Sequence, residues 1–493
     1  MEAVSTTNAA SPAGQATVNL TLNNRSPATL SVNRVRVPQA NYDETIETTL
    51  PLNQNVTREL KLSIPANAAL TNPYWLTSRA LSFNESGTPQ TALTPNTIPL
   101  ESIGAPESAP ALTARVDIKI AGQDTTYDLP ILARNVDPVR GELFRPFAIV
   151  PRLSLSFDEA VYVLPNNETK RVKVRVRSNA RGDTSGDVRL RLPAGWSATP
   201  AAIPVTLKGL DEEREVEFEV KFNLTAAPST QTQTTDSQSV EAIAEFVSNN
   251  SRLINNLITI DYPHIPAQTL QPVAQVKLVH LSLARRGSNI AYITGSGDDI
   301  PQALAQVGYT VTSLSDRDLS ESDFSKYDAI VVGIRAYNTR PALSRHQPRL
   351  LSYVERGGTL VVQYNTTDED LPANLGVYPF KISRERVTLE EAPVNLINPN
   401  DALLNTPNRI TARDFDGWVQ ERGLYFASEW DARYTTPLES HDPNEAPKPG
   451  GMLVARHGQG TYIYTSYAWF RQLPAGVPGA YRLFVNMVSA GKR

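Results

Sequence analysis

The sequence predicts a multidomain chain: two all-β sandwiches followed by a three-layer α/β domain with a mainly parallel sheet. Three observations carry that expectation. From residue 16 to about residue 260, apolar side chains recur with a period of two, as in strands with one buried and one wet face. Beyond residue 275, apolar strands alternate with helix-period segments, which implies a sheet covered on both faces. A length of 493 residues exceeds what one hydrophobic core accommodates, so about three domains are expected.

Residues 1–15 are polar and low in complexity, and are expected to be disordered. They hold neither the basic nor the apolar region of a secretion signal, and they run straight into a strand, as a cut from a longer chain would. The first sandwich is placed at 16–147. In "ATVNLTLNN", Ala16, Val18, Leu20 and Leu22 share one face, and "LKLSIP" and "RVDIKI" repeat the pattern. The proline-rich stretch 84–110 reads as a long surface loop of this unit. The second sandwich is placed at 151–262, where "RVKVRVR" (171–177) and "EVEFEVKF" (215–222) alternate valine or phenylalanine with charge. Its segment 227–240 is a polar, mobile loop by composition. Prolines stiffen 263–274 as a linker.

The α/β domain is placed at 275–493. "NIAYITG" is a strand and "DDIPQALAQVG" a helix ending at Gly308. "YTVTSLS" and "YDAIVVGI" are strands, "RHQPRLLSYVERGG" is a helix stopped by two glycines, and "TLVVQYN" follows as a strand.

The formal net charge is −4 with no dense Lys/Arg block, which speaks against a nucleic-acid partner. No apolar run approaches the roughly 20 residues of a membrane span. Cysteine is absent, so disulfides, thiolate metal sites and cysteine nucleophiles are excluded. That absence also suits a periplasmic or secreted protein.

"GSGDDI" lacks the third glycine of a dinucleotide fingerprint, with Ile300 in its place. Asp298 and Asp299 would repel a phosphate and are expected to cap the helix, with ligand binding by Asp298 as the alternative. In open α/β sheets ligands bind beyond the strand C-termini. Arg335, Tyr337, Asn338 and Arg340 follow one strand, and Gln363, Tyr364, Asn365 and Asp368 another. Glu429, Trp430, Asp431 and Arg433 lie in "YFASEWDARY", and Trp469, Arg471 and Gln472 in "SYAWFRQLPAG". Aromatics beside amides, carboxylates and arginines suit a carbohydrate cleft or a wet domain interface. The competing structural reading pairs Arg335 and Arg471 with acidic loops. The ligand-binding candidates are thus Asp298, Arg335, Tyr337, Asn338, Gln363, Asn365, Glu429, Trp430 and Arg471. No GxSxG elbow is present, the five histidines form no ligand spacing, and carboxylate pairs such as Asp414/Asp416 and Glu429/Asp431 cannot be placed from sequence. No catalytic residue, metal or cofactor is expected.

"YDAIVVGIRAYNTR", "RLLSYVERGGTLVVQYNT", "YPFKISRERVT" and "GQGTYIYTSYAWFRQLPAGVPGAYRLFVN" resemble the C-terminal region of large bacterial deacetylases of the PIG-L (LmbE-like) family. "GDVRLRLPAGWSATPAAIPVTLKG" resembles their NEW3-type, immunoglobulin-like domain. The terminal domain is similar to the class I glutamine amidotransferase-like fold. The resemblance implies a bacterial, extracytoplasmic protein. The PIG-L zinc motif and the amidotransferase cysteine are both missing, so no catalytic residue carries over from either family. What the resemblance implies is a non-catalytic accessory region that binds glycan or packs on a PIG-L catalytic domain, of its own or another chain. The alternatives are a scaffold alone, or a carbohydrate-active hydrolase using Glu429 or Asp431.

Overall fold

The computed structural model describes residues 1–76, 81–83, 89–91, 102–223, 237–248, 251–367, 371–372 and 374–491. Much of the loop expected at 84–110, most of that expected at 227–240, and Asp368 lie outside the described residues. The chain is multidomain and rich in β-structure.

The first unit is one eight-stranded sheet folded on itself. Its pivot is the 15-residue strand Gln123–Asp137. Residues 123–130 of that strand pair with Thr113–Ile120, and 132–137 pair with Gly141–Pro146. Ala16, Val18, Leu20 and Leu22 all face the core, as their period requires. The N-terminus departs from the expected disorder. Strand Glu2–Ser5 lies between Gln123–Asp137 and Gln15–Asn23, buries Ala3 and Val4, and so satisfies both its backbone edges.

In the second unit, a four-stranded sheet packs on a six-stranded one. Lys170–Ser178 pairs with Glu213–Phe222 so that Arg171, Lys173, Arg175 and Arg177 face Glu219, Glu217, Glu215 and Glu213. Opposite charges therefore line the solvent face while Val172, Val174, Val176, Phe218 and Val220 fill the core. Such exposed ion pairs, screened by solvent, contribute little. The apolar face supplies the stability.

The boundary of this unit lies later than composition suggested. Strand Gln275–Leu281, expected to open the α/β domain, pairs instead with Val161–Pro165 and Ser237–Ser248 of the sandwich. The expected linker also contains a strand, Gln268–Leu270, paired with Ile258–Ile260. A strand buried on both faces reads alike in either setting, which is why its partner was not legible. Gln271 fastens the first two units together, donating from Nε2 to the Thr71 and Ile149 carbonyls, each at 2.9 Å.

His280 on Gln275–Leu281 is 3% exposed, stacks on Phe222 across the sandwich at 4.3 Å, and has no hydrogen-bond partner on either ring nitrogen. Burial holds its pKa below the ordinary value of 6.5. The unfolded chain takes up this proton as pH falls through about 6.5, whereas the folded chain does not. Stability is therefore expected to decline from there down to the depressed folded pKa. Urea midpoints measured across that window should show a smaller decline in His280→Phe; an identical decline would remove His280 as a cause.

Residues 289–489 contain a six-stranded sheet in the order Thr310–Ser313, Asn289–Ile293, Ala329–Val332, Thr359–Gln363, Gly460–Thr465, Met452–His457. The first five strands are mutually parallel and the last is antiparallel. Successive strand residues alternate between two cores: Ile290, Tyr292, Val331, Val361 and Ile463 join one, and Ala291, Ile293, Ile330, Leu360 and Tyr462 the other. Helix Pro478–Ser489 contributes to the first core and Pro341–Glu355 to the second. Between Gln363 and Met452 the chain makes an excursion of short paired strands, including Phe380–Ile382 with Ala427–Trp430.

This sheet and the second sandwich are stitched together. The Gln306 amide accepts from Val163 N at 2.8 Å and donates to Val161 O at 3.0 Å, occupying the free edge of the sandwich. Lys277 donates to Ala475 O at 2.7 Å.

Candidate functional site

The crevice where strand order reverses, between Asn289–Ile293 and Ala329–Val332, is the usual ligand position in such a sheet. Here backbone fills it. Ser296 N donates to Ile334 O at 2.9 Å, and a Cβ on Gly295 would lie 2.0 Å from the same oxygen. Only glycine permits this approach.

The polar residues at the strand ends are engaged with one another. Asp298 accepts from the Tyr292 hydroxyl at 2.6 and 2.7 Å and from Ile300 N at 3.1 Å. Asp298, rather than Asp299, thus supplies the side-chain acceptor at the helix start, since Asp299 makes no capping bond. Burial raises the Asp298 pKa, Asp299 adds to the rise, and the Tyr292, Ile300 and Ile334 hydrogen bonds oppose it. Gln363 donates to the Tyr292 hydroxyl at 3.2 Å, and its own Oε1 is buried without a partner. Asn365 is fully buried, accepting from Tyr337 N at 3.1 Å and donating to Gln363 O at 3.1 Å. Asn338 makes a reciprocal pair with the Thr366 backbone, at 3.3 and 2.9 Å. Tyr337 is core, with its hydroxyl buried and unpartnered, and burial raises its pKa.

Arg335 and Arg471 both act electrostatically on Tyr364, whose pKa is raised chiefly by burial. Arg335 N donates to Tyr364 O at 2.8 Å. Arg471 is paired with Glu421 at 2.7 Å and lies 4.8 Å over the Phe470 ring, in line with the structural reading of that residue. Arg335 makes no such pair among the described residues. Its Nε is buried with no acceptor.

Glu429 and Trp430 belong elsewhere, on the strand pair of the excursion. Glu429 is exposed and pairs with Lys381 at 2.8 Å. Trp430 lines a shallow groove of about 480 Å³ with Glu385, Ser428, Glu445 and Pro447–Pro449; none of the other candidate residues lines it. Trp469 and Gln472, expected at a polar strand end, are instead fully buried: Trp469 packs against Trp418, and Gln472 bonds the Val419 backbone. Asp431 is held at about 2 by hydrogen bonds from the Arg433 side chain and backbone. Among the described residues, no group of three or more His, Asp or Glu is placed to hold a metal ion, and no helix is long and apolar enough to cross a membrane. Sequence reasoning passed over Tyr292, Tyr425 and Phe470, whose rings and hydroxyls complete these clusters. Nothing in their local sequence marks them.

No family model matches the chain, and no curated protein does. Among solved structures, it is similar to a protein of unknown function from Porphyromonas gingivalis W83, at 12% identity and TM-score 0.14, over 57% of this chain and 96% of that one. It is similar to Salmonella alpha-2-macroglobulin at 10% identity and TM-score 0.18, over 58% of this chain but only 16% of that one. A GH2 beta-galacturonidase from Eisenbergiella tayi shares 9% identity at TM-score 0.16, over 71% of this chain and 63% of that one. TM-scores this low assign no fold and no function.

Proposed function

We propose that this chain is a non-catalytic accessory region of an exported PIG-L-type carbohydrate deacetylase, which binds glycan or packs on the catalytic domain. In this reading the second sandwich is the NEW3-type unit. The C-terminal sheet with its helices is a three-layer α/β unit of the class I amidotransferase-like kind that has lost its chemistry. The observation that carries the non-catalytic part of the proposal is the internal commitment of Asp298, Asn338, Gln363 and Asn365, which bond one another's loops rather than line a shared cavity. A hydrolase on Glu429 and Asp431 is disfavoured, because each carboxylate is already held in an ion pair, Glu429 with Lys381 and Asp431 with Arg433.

The test assays the intact chain for deacetylation of N-acetylated sugars and for glycoside hydrolysis, alongside a glycan array. Glycan binding without turnover is expected. Turnover abolished by Glu429→Gln or Asp431→Asn would overturn the non-catalytic reading.

A further inference from the structure

We infer that Arg335, with Tyr364, Tyr425 and Phe470, forms a binding site for a carboxylate-bearing sugar at the C-terminal edge of the parallel sheet. The inference rests on the glycan-binding reading above and names the class of ligand.

Arg335 carries two local penalties. Its backbone is left-handed, at φ 54° and ψ 23°, a region that strains a bulky residue and that glycine occupies freely. Its Nε–H is buried and bonds nothing, an omission that native proteins rarely leave unexplained. Strain of this kind gathers at functional sites, and here it recurs nearby. Gln420, next to the Glu421 partner of Arg471, has φ 67°, and Tyr425 has φ 60°.

The surroundings narrow the ligand. Neighbouring arginines are already satisfied: Arg471 by Glu421, Arg340 by Asp316, Arg422 by the Ala392 and Phe415 carbonyls. Among the described residues Arg335 faces no carboxylate, the group that a guanidinium fits in a bidentate manner. A phosphate would ask for more donors. The amides of the short helical turn after Arg335 are taken, Ala336 by Gly333 O, Tyr337 by Asn365 Oδ1 and Asn338 by Arg335 O. The Arg335 charge acts on Tyr364, whose backbone oxygen takes Arg335 N, and Tyr364 belongs to an aromatic group. The Tyr364 and Tyr425 rings are nearly parallel at 6.1 Å, Phe470 is 5.6 Å from Tyr364, and Tyr425 and Phe470 are each partly exposed. Such faces receive the C–H side of a sugar ring while the charge receives its carboxylate.

The experiment is isothermal titration of the intact chain with a glucuronate-terminated oligosaccharide, its glucose-terminated counterpart, sodium acetate and inorganic phosphate. Arg335→Gly and Arg335→Lys are titrated in parallel. The acidic oligosaccharide should bind at least about tenfold more tightly than the neutral one, as loss of a charge-assisted bidentate contact predicts. Arg335→Gly should abolish that difference while leaving the melting temperature unchanged or higher, because glycine relieves the left-handed backbone. Arg335→Lys should retain only part of the difference, since it keeps the charge and loses the fork. Equal binding of both oligosaccharides, unaffected by Arg335→Gly, would overturn the acidic site and leave the glycan reading standing. Acetate or phosphate binding as tightly as the acidic oligosaccharide would overturn the sugar class. Binding of no sugar would overturn both readings.

Discussion

Asp414→Ala is expected to destabilise the chain by about 3–5 kcal/mol, the usual result of removing one partner of a buried ion pair. Asp414 is 3% exposed. One carboxylate oxygen takes Arg482 Nε at 2.6 Å, and the other takes the Thr411 amide and hydroxyl at 2.7 and 3.0 Å. Alanine leaves the Arg482 guanidinium, itself only 15% exposed, without its counter-charge, and uncaps the turn Ala412–Phe415. That turn is where helix Pro478–Ser489 docks: a Cβ on Gly479 would lie 2.0 Å from Asp414 O. Urea denaturation followed by far-ultraviolet circular dichroism measures the loss. A midpoint equal to the parent's would mean that the pair contributes nothing net. A combined Asp414→Ala, Arg482→Met variant should recover much of the stability, because the unpaired charge is then gone.

Trp469→Ala should cost a similar amount, about 3–5 kcal/mol, through lost burial and the cavity left behind. The indole is fully buried, with ring centroids of Trp418, Tyr467 and Phe484 at 5.3, 6.0 and 6.0 Å. Its Nε1 donates to Thr465 Oγ1 at 2.8 Å, so the truncation also orphans a buried hydroxyl. Trp469→Phe, which keeps most of the volume, should lose less than half as much. The check is the denaturation midpoint of each variant; equal losses would show that the hydrogen bond outweighs the cavity.

These two residues also mark where the sequence could and could not be read. Period-two alternation announced the sandwich strands because one face of each must be wet, as Lys170–Ser178 and Glu213–Phe222 illustrate. The helix stops at Gly308 and Gly357 were legible because both glycines take positive φ. The roles of strand-end side chains were not legible. Asp414 beside Asp416 looks the same in sequence whether it serves a substrate or Arg482, and Trp469 looks the same in a cleft or in a core. Nor does composition separate Arg335, which faces no carboxylate among the described residues, from Arg471, which found Glu421 some 50 residues earlier in the chain. Side-chain partners so distant in sequence are fixed by the packing of loops, not by local pattern.

The strand Gln275–Leu281 gives the joint between the sandwich and the C-terminal sheet a mechanical character. It runs parallel to Val161–Pro165, with Val161 opposite Lys277 and Pro165 opposite Leu281. The chain enters this pair at the N-terminal end of one strand and leaves at the C-terminal end of the other. Tension drawn along the polypeptide therefore loads the whole ladder of hydrogen bonds at once, in shear, instead of opening it rung by rung. The antiparallel hairpin Ile258–Ile260 with Gln268–Leu270 has the opposite geometry and peels from its ends. Because that hairpin lies within residues 166–274, the loop that this parallel pair closes, force applied at the chain's ends should reach it only after the clamp around Gln275–Leu281 has parted.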